Sequence, residues 1–242
     1  MRLAALALAV ALVAGCGGAD DEQLTVFAAS SLSEVFEQLE PDARYNFAGS
    51  DELATQLREG ADADVYASAS PGHAVDLHRE GIVERPRLLA ANQVVLVVPR
   101  SNRAGIETLA DVARPGIRLV IAAPGVPAGD YAREALERDP RGDAILANVV
   151  SEEQDVKAVV AKVALGEADA GFAYRTDVEP AAGDVVEVGG ALARAEYAIA
   201  LVREGDRDDA ERFVERMLAP EGQQALLGAG FVTTSEAGRP LP

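Results

Sequence analysis

Short apolar, β-branched runs alternate with stretches of helical periodicity from Leu24 almost to the C-terminal end, and this alternation confines the chain to α/β architectures with largely parallel sheets. Residues 24–28 read as the first strand. Ser31-Leu32-Ser33-Glu34 has the spacing of a capping box, with Leu32, Val35, Phe36 and Leu39 at helical intervals. Residues 45–48 form the next expected strand. Ser50 then opens a helix with Asp51 and Glu52 in its first turn, Leu53 and Leu57 on its inner face and Gly60 as its stop. A strand at 65–68 and a helix running from Ser70-Pro71 to Gly81 complete a third unit of strand, turn and helix.

A continuous apolar run at 93–98, broken by Pro99-Arg100-Ser101-Asn102, starts a second set. It comprises a strand at 118–122, a helix at 130–138, a strand at 145–149, a helix at 156–165 and a strand at 170–174. Another apolar run follows at 197–202, then a helix carrying Ala210, Phe213, Val214, Met217 and Leu218, and a last helix opened by Pro220-Glu221. The runs at 93–98 and 197–202 bracket the middle block. Lying side by side, they would make that block a second lobe inserted into the first by two crossings, a joint suited to hinge closure over a ligand. The expected lobes are residues 24–95 with 199–242, and residues 96–198.

The first residues describe delivery rather than structure. Arg2, an apolar run over 3–13 and the small residues Val13-Ala14-Gly15 before Cys16 form a secretory signal, because the run is too short to span a bilayer. The segment resembles a bacterial lipoprotein signal over residues 1–15, with Cys16 as the lipidated first residue and 16–23 as a solvated tether. That resemblance implies an exported protein, lipid-anchored on the outer face of the cytoplasmic membrane or periplasmic. Cys16 is the only cysteine, so neither a disulfide framework nor a thiolate metal site is available. The formal charge of −18 repels nucleic acid and acidic lipid, which excludes both as partners. It also repels anions at long range, so any anion site must be built locally from short-range donors.

Four segments supply such donors. Ala28-Ala29-Ser30-Ser31, Ala48-Gly49-Ser50, Val126-Pro127-Ala128-Gly129 and Gln154-Asp155-Val156 each place a hydroxyl or a small residue at an expected strand-to-helix junction. Helix N-termini carry unsatisfied N–H groups and the positive end of the macrodipole, so several converging on one cleft would cage an anion without any cation. Read alone, Ser31 and Ser50 would also serve as ordinary helix caps.

These residues resemble the molybdate-binding proteins of bacterial ABC importers, within the periplasmic binding protein superfamily. The resemblance runs from about Leu24 to Phe231. It is carried by Thr25-Val26-Phe27-Ala28-Ala29-Ser30-Ser31-Leu32, by Gly60-Ala61-Asp62-Ala63-Asp64, by Val126-Pro127-Ala128-Gly129 with Tyr131-Ala132 and Glu134-Ala135-Leu136, and by Ala170-Gly171-Phe172-Ala173-Tyr174. It implies a two-lobed type II fold, each lobe a mainly parallel sheet flanked by helices, with a two-strand hinge. It also implies oxyanion ligands at Ser31, Ser50, Ala128, Val156 and Tyr174. The serines would use hydroxyl and backbone N–H, Ala128 and Val156 their backbone N–H, and Tyr174 its phenolic O–H. The implied ligand is molybdate or tungstate, the implied partners are an ABC permease and its ATPase, and the expected state is a monomer without cofactor. Gly49, Asp51 and Gln154 depart from the family pattern, and a carboxylate at Asp51 would repel the anion unless it points along the outer face of its helix.

Molybdate and tungstate are fully deprotonated at neutral pH, so a site made only of donors suits them and disfavours hydrogen phosphate, whose proton needs an acceptor. Sulfate or a small organic anion on the same fold is the rival ligand. An organic acid calls for an arginine, and Arg175 is the one candidate, although strand alternation would point it away from Tyr174. A serine enzyme would need a base. Only His73 and His78 are available, and neither a Gly-x-Ser-x-Gly elbow nor a Gly-x-x-x-x-Gly-Lys loop occurs. Those histidines lie about 140 degrees apart around a helix and cannot share a metal from one face. Asp62 and Asp64 read as solvated turn residues leading into a strand, and Lys157 as a surface cation near Val156.

Overall fold

The computed structural model describes residues 23–178, 183–205, 207–232 and 234–242. The first apolar run forms β1 (Thr25–Ala29), buried at every position. A short 3-10 turn, Ser30–Leu32, leads into α1 (Ser33–Leu39). The expected capping box is absent here: neither the turn nor α1 has a side-chain cap, because Ser31 turns its hydroxyl to a distant tyrosine instead. β2 (Arg44–Ala48), α2 (Ser50–Arg58), β3 (Val65–Ser68) and α3 (Pro71–Arg79) follow the expected order. Ser70 caps α3 by accepting from the Gly72 amide at 3.2 Å, with Pro71 in the first turn. Period-two alternation sends Val26, Ala28, Val65 and Ala67 into a core that runs through most of the molecule. Phe27 and Tyr66 point the other way, into a second core with Leu53, Leu57, Leu77 and Leu88.

Beyond α3 come β4 (Arg87–Pro99), α4 (Leu109–Val112), β5 (Leu119–Ala122), α5 (Pro127–Glu137), α6 (Gly142–Leu146), β6 (Val149–Glu153), α7 (Val156–Ala164), β7 (Ala170–Tyr174), α8 (Arg175–Val178) and β8 (Val185–Leu201). The C-terminal helices are α9 (Arg207–Leu218) and α10 (Pro220–Gly228). One sheet of eight strands has the order β2-β1-β3-β8-β4-β7-β5-β6. Its two flanks, β2-β1-β3 and β7-β5-β6, are parallel, and each joins the central β4-β8 pair by antiparallel bonds. This is the two-lobed α/β architecture with a two-strand crossing. The expected lobe boundaries at 95/96 and 198/199 fall inside β4 and β8.

Three expectations are corrected. The strand expected at 145–149 is displaced: Ile145 and Leu146 belong to α6, and β6 begins at Val149. β6 is an edge strand, alternating half-buried and exposed residues through Ser151, Glu152 and Glu153, so it has no apolar run to announce it. The runs at 93–98 and 197–202 do not face each other. Gln93 pairs with Arg194 and Val98 with Val186, while Tyr197 lies opposite Ala90 and Ile199 opposite Arg87. Both runs are ends of longer strands, and the Gly- and charge-containing first half of β8 hid that length. Finally, α5 begins at Pro127 rather than 130, which places Ala128 in its first turn.

Candidate anion-binding site

The C-terminal ends of β1, β2 and β7 and the N-termini of α2, α5 and α7 converge on one small hollow, the position at which open α/β sheets hold ligands. Its lining contains all five residues expected as ligands: Ser31, Ser50, Ala128, Val156 and Tyr174. Ala29, Ser30, Ala48, Gly49, Ala69, Val126, Pro127 and Asp155 complete it. The hollow is small, with a cavity volume of about 10 Å³, roughly the room of one water-sized sphere. That size favours one compact ion over an extended organic molecule.

Each donor is placed by its own local chemistry. Ser31, 8% exposed, lies in the turn after β1 with its Oγ 2.8 Å from the Tyr197 hydroxyl. Ser50 is the first residue of α2. Its Oγ accepts from the Ala69 amide at 3.0 Å, and its carbonyl accepts from the Tyr66 hydroxyl at 2.7 Å. Neither serine is therefore a helix cap, and each keeps a hydroxyl at the hollow. Ala128 and Val156 lie in the first turns of α5 and α7, where backbone N–H groups have no acceptor within the helix. Asp155 caps α7 by accepting from the Ala158 amide at 2.9 Å, which turns its carboxylate into the helix rather than toward an anion. Tyr174 ends β7, its ring edge-on to Tyr197 at 5.7 Å, and among the described residues its buried hydroxyl has no hydrogen-bond partner of good geometry. Burial holds the Tyr174 hydroxyl well above its ordinary pKa, with Tyr197 adding to the shift, so it stays a donor.

Among the described residues no lysine or arginine lines the hollow. Arg175 is spent elsewhere: its guanidinium meets the Glu187 carboxylate at 2.6 and 2.9 Å, which leaves an organic acid without its expected counterion. Asp51 is not among the lining residues. Its Oδ1 is buried without a partner beside Gly49, and its Oδ2 approaches Gly125.

Contacts also join the two sides of the hollow. Lys157 on α7 is exposed, as expected of a surface cation, and also donates to the Ser33 Oγ at 2.5 Å. His73 Nε2 lies 3.0 Å from the Gly125 carbonyl oxygen. Gly49 comes so close to the Gln154 carbonyl that a Cβ there would stand 2.5 Å from its oxygen. His78 pairs with the Val83 carbonyl at 3.2 Å, away from His73's partner, and Asp64 accepts from the Thr25 amide at 2.7 Å as a turn residue. Among the described residues no group of three His, Cys, Asp or Glu could hold a metal ion. Sequence reasoning passed over Tyr197 and Asn92, which bond behind Ser31; the available signal was a tyrosine and an asparagine within apolar strands, where each needs a partner. Cys16 lies outside the described residues.

Residues 24–232 match the family described as bacterial extracellular solute-binding protein. The molybdate-binding protein ModA of Mycobacterium tuberculosis is 37% identical over 230 residues, covering 86% of this chain and 84% of the relative. Among solved structures, the Azotobacter vinelandii periplasmic molybdate-binding protein superposes with a TM-score of 0.75 at 20% identity, covering 88% of this chain and 100% of that one. The sulfate-binding protein SubI from Mycobacterium tuberculosis gives 0.77 at 16% identity, covering 88% and 87%. The two structural likenesses are likenesses of fold.

Proposed function

We propose that this chain, which belongs to the family of bacterial extracellular solute-binding proteins, captures molybdate or tungstate outside the membrane and presents its closed form to an ABC permease with its ATPase. The observation that carries this reading is the gathering of Ser31, Ser50, Ala128, Val156 and Tyr174 around one small hollow lined by hydroxyls and helix N-termini and free of cations. Such a set binds a tetrahedral oxyanion that accepts hydrogen bonds at every oxygen and donates none. The name and the 37% identity of the mycobacterial relative support molybdate within that class.

The two flanks of the sheet act as lobes that close by bending β4 and β8. Register shifts between Val94 and Leu96 give a natural place for the bend. The bridges from Lys157 to Ser33 and from His73 to Gly125 then hold the closed form. Function as a monomeric carrier calls for neither a catalytic residue nor a cofactor. Among the described residues no helix is long and apolar enough to cross a membrane, and lipidation at Cys16 would hold the protein at the outer face.

Thermal unfolding with molybdate, tungstate, sulfate and phosphate tests the reading, because a ligand bound only by the folded state raises the midpoint. A rise with molybdate and tungstate is expected; no rise with either ends the proposal. Sulfate is the second reading, supported by the fold shared with SubI, and a larger rise with sulfate than with molybdate would select it.

A further inference from the structure

We infer that Asn92 and Tyr197 are positioning residues that turn the Ser31 hydroxyl proton toward the hollow, so that Ser31 meets an oxyanion as a donor and disfavours one that carries a proton of its own. The inference rests on the anion-capture reading and deepens it.

Asn92 and Tyr197 are fully buried on the central strands β4 and β8. The amide of Asn92 has only one sensible orientation. Its Oδ1 accepts from the Gln93 backbone N–H at 2.8 Å, which turns its NH₂ toward the Thr176 Oγ1 at 2.9 Å and the Tyr197 hydroxyl at 3.4 Å. An amide NH₂ can only donate. The Tyr197 oxygen therefore accepts from Asn92, and its single proton is left for the Ser31 Oγ at 2.8 Å. Ser31, accepting there, has its own proton free for the hollow it lines.

Ser50 obeys the same logic in one step. Its Oγ accepts from the Ala69 backbone N–H, which cannot accept in return, so its proton is also free for the hollow. Tyr174 contributes a third O–H, and burial keeps both tyrosines protonated. Hydrogen phosphate brings a proton of its own. Set against Ser31 and Ser50 hydroxyls that face it as donors, that proton meets no acceptor from either, a penalty that molybdate and sulfate escape.

The test uses the full chain and its variants Tyr197→Phe, Asn92→Asp and Ser31→Ala. Affinities for sulfate and phosphate are measured by calorimetric competition against molybdate at mildly alkaline pH. There all three anions carry two negative charges, and only phosphate retains a proton. Tyr197→Phe removes the donor behind Ser31 and lets its lone pair turn inward. The preference for sulfate over hydrogen phosphate should fall about tenfold or more. Asn92→Asp has nearly the same shape but gives Tyr197 an acceptor, which reverses the chain of protons, and should narrow the preference at least as far. Ser31→Ala removes a donor without adding an acceptor and should weaken all three anions alike.

Equal losses for all three anions in Tyr197→Phe would mean that the tyrosine only supports the fold, and would overturn the inference even if Asn92→Asp fails to fold. If the wild type binds molybdate and Ser31→Ala weakens it while the preference survives in Tyr197→Phe, this inference falls and the capture reading stands. If the wild type binds none of the three anions, both fall.

Discussion

The Ser50 Oγ serves the hollow and the fold together, because it is the acceptor for the buried Ala69 amide. Ser50→Ala should therefore weaken molybdate binding by about 1–3 kcal/mol and also cost about 1–3 kcal/mol of stability through the orphaned N–H, read by calorimetry and by urea unfolding without ligand. Ser31→Ala leaves no backbone group unpaired but strips the buried Tyr197 hydroxyl of its acceptor, so it too should cost about 1–3 kcal/mol in both affinity and stability. Asp177 on α8 has a different signature. Burial raises its pKa from 3.8 to about 7, Lys157 draws it down, and Glu34 and Asp155 push it up. The folded chain thus holds one more proton than the unfolded chain between those values. The stability associated with that proton is full below about pH 4 and is lost as pH rises through about 7. Asp177→Asn should flatten this slope and, above neutral pH, be more stable than the wild type by up to about 4 kcal/mol in urea unfolding. The serines were legible in the sequence as hydroxyls at strand ends. Ala128 and Val156 would act through backbone N–H groups that leave no side-chain mark, so only the family resemblance pointed to them. Tyr197 was passed over because its partners, Ser31 and Asn92, lie 166 and 105 residues away.

At the scale of elements, strands buried on both faces announced themselves. β7 has the bounds expected from its apolar run, and α2 starts where its acidic first turn predicts. The failures are equally physical. β6 lies at the sheet edge and carries two glutamates, and the first half of β8 passes through Gly189, Gly190 and charged residues, so pairing and not hydrophobicity makes them strands. The close approach of Gly49 to Gln154 joins the start of α2 to the residue before the Asp155 cap of α7. Gly49 has ordinary extended backbone at φ −61°, so the backbone admits alanine; its Cβ would press the Asp51 Oδ1 at 2.7 Å, the end of a side chain that can turn, and collide with the Gln154 carbonyl oxygen across the hollow at 2.5 Å. Gly49→Ala should lower molybdate affinity by about 1–3 kcal/mol while leaving the ligand-free thermal midpoint nearly unchanged. An equal loss of unliganded stability would show that the two sides stay together without ligand.

For the whole molecule, a hollow without cations sits in a chain of net charge −18. A site built on lysine or arginine weakens as salt screens its attraction. Here the long-range field opposes the ligand, so molybdate affinity should hold or rise when chloride is increased from low to physiological ionic strength, measured by titration calorimetry. A steep fall would mean that a cation reaches the ion. β4 and β8 raise a further point, since β8 bonds to the first flank, β4 to the second, and the two pair with each other from Arg87–Ile199 to Pro99–Val185. Nowhere along these ribbons does a seam separate two self-sufficient modules. Neither half could be excised, grafted onto a cousin or exchanged like a cassette, so a new specificity in such a scaffold has to arise by substitution within one indivisible frame.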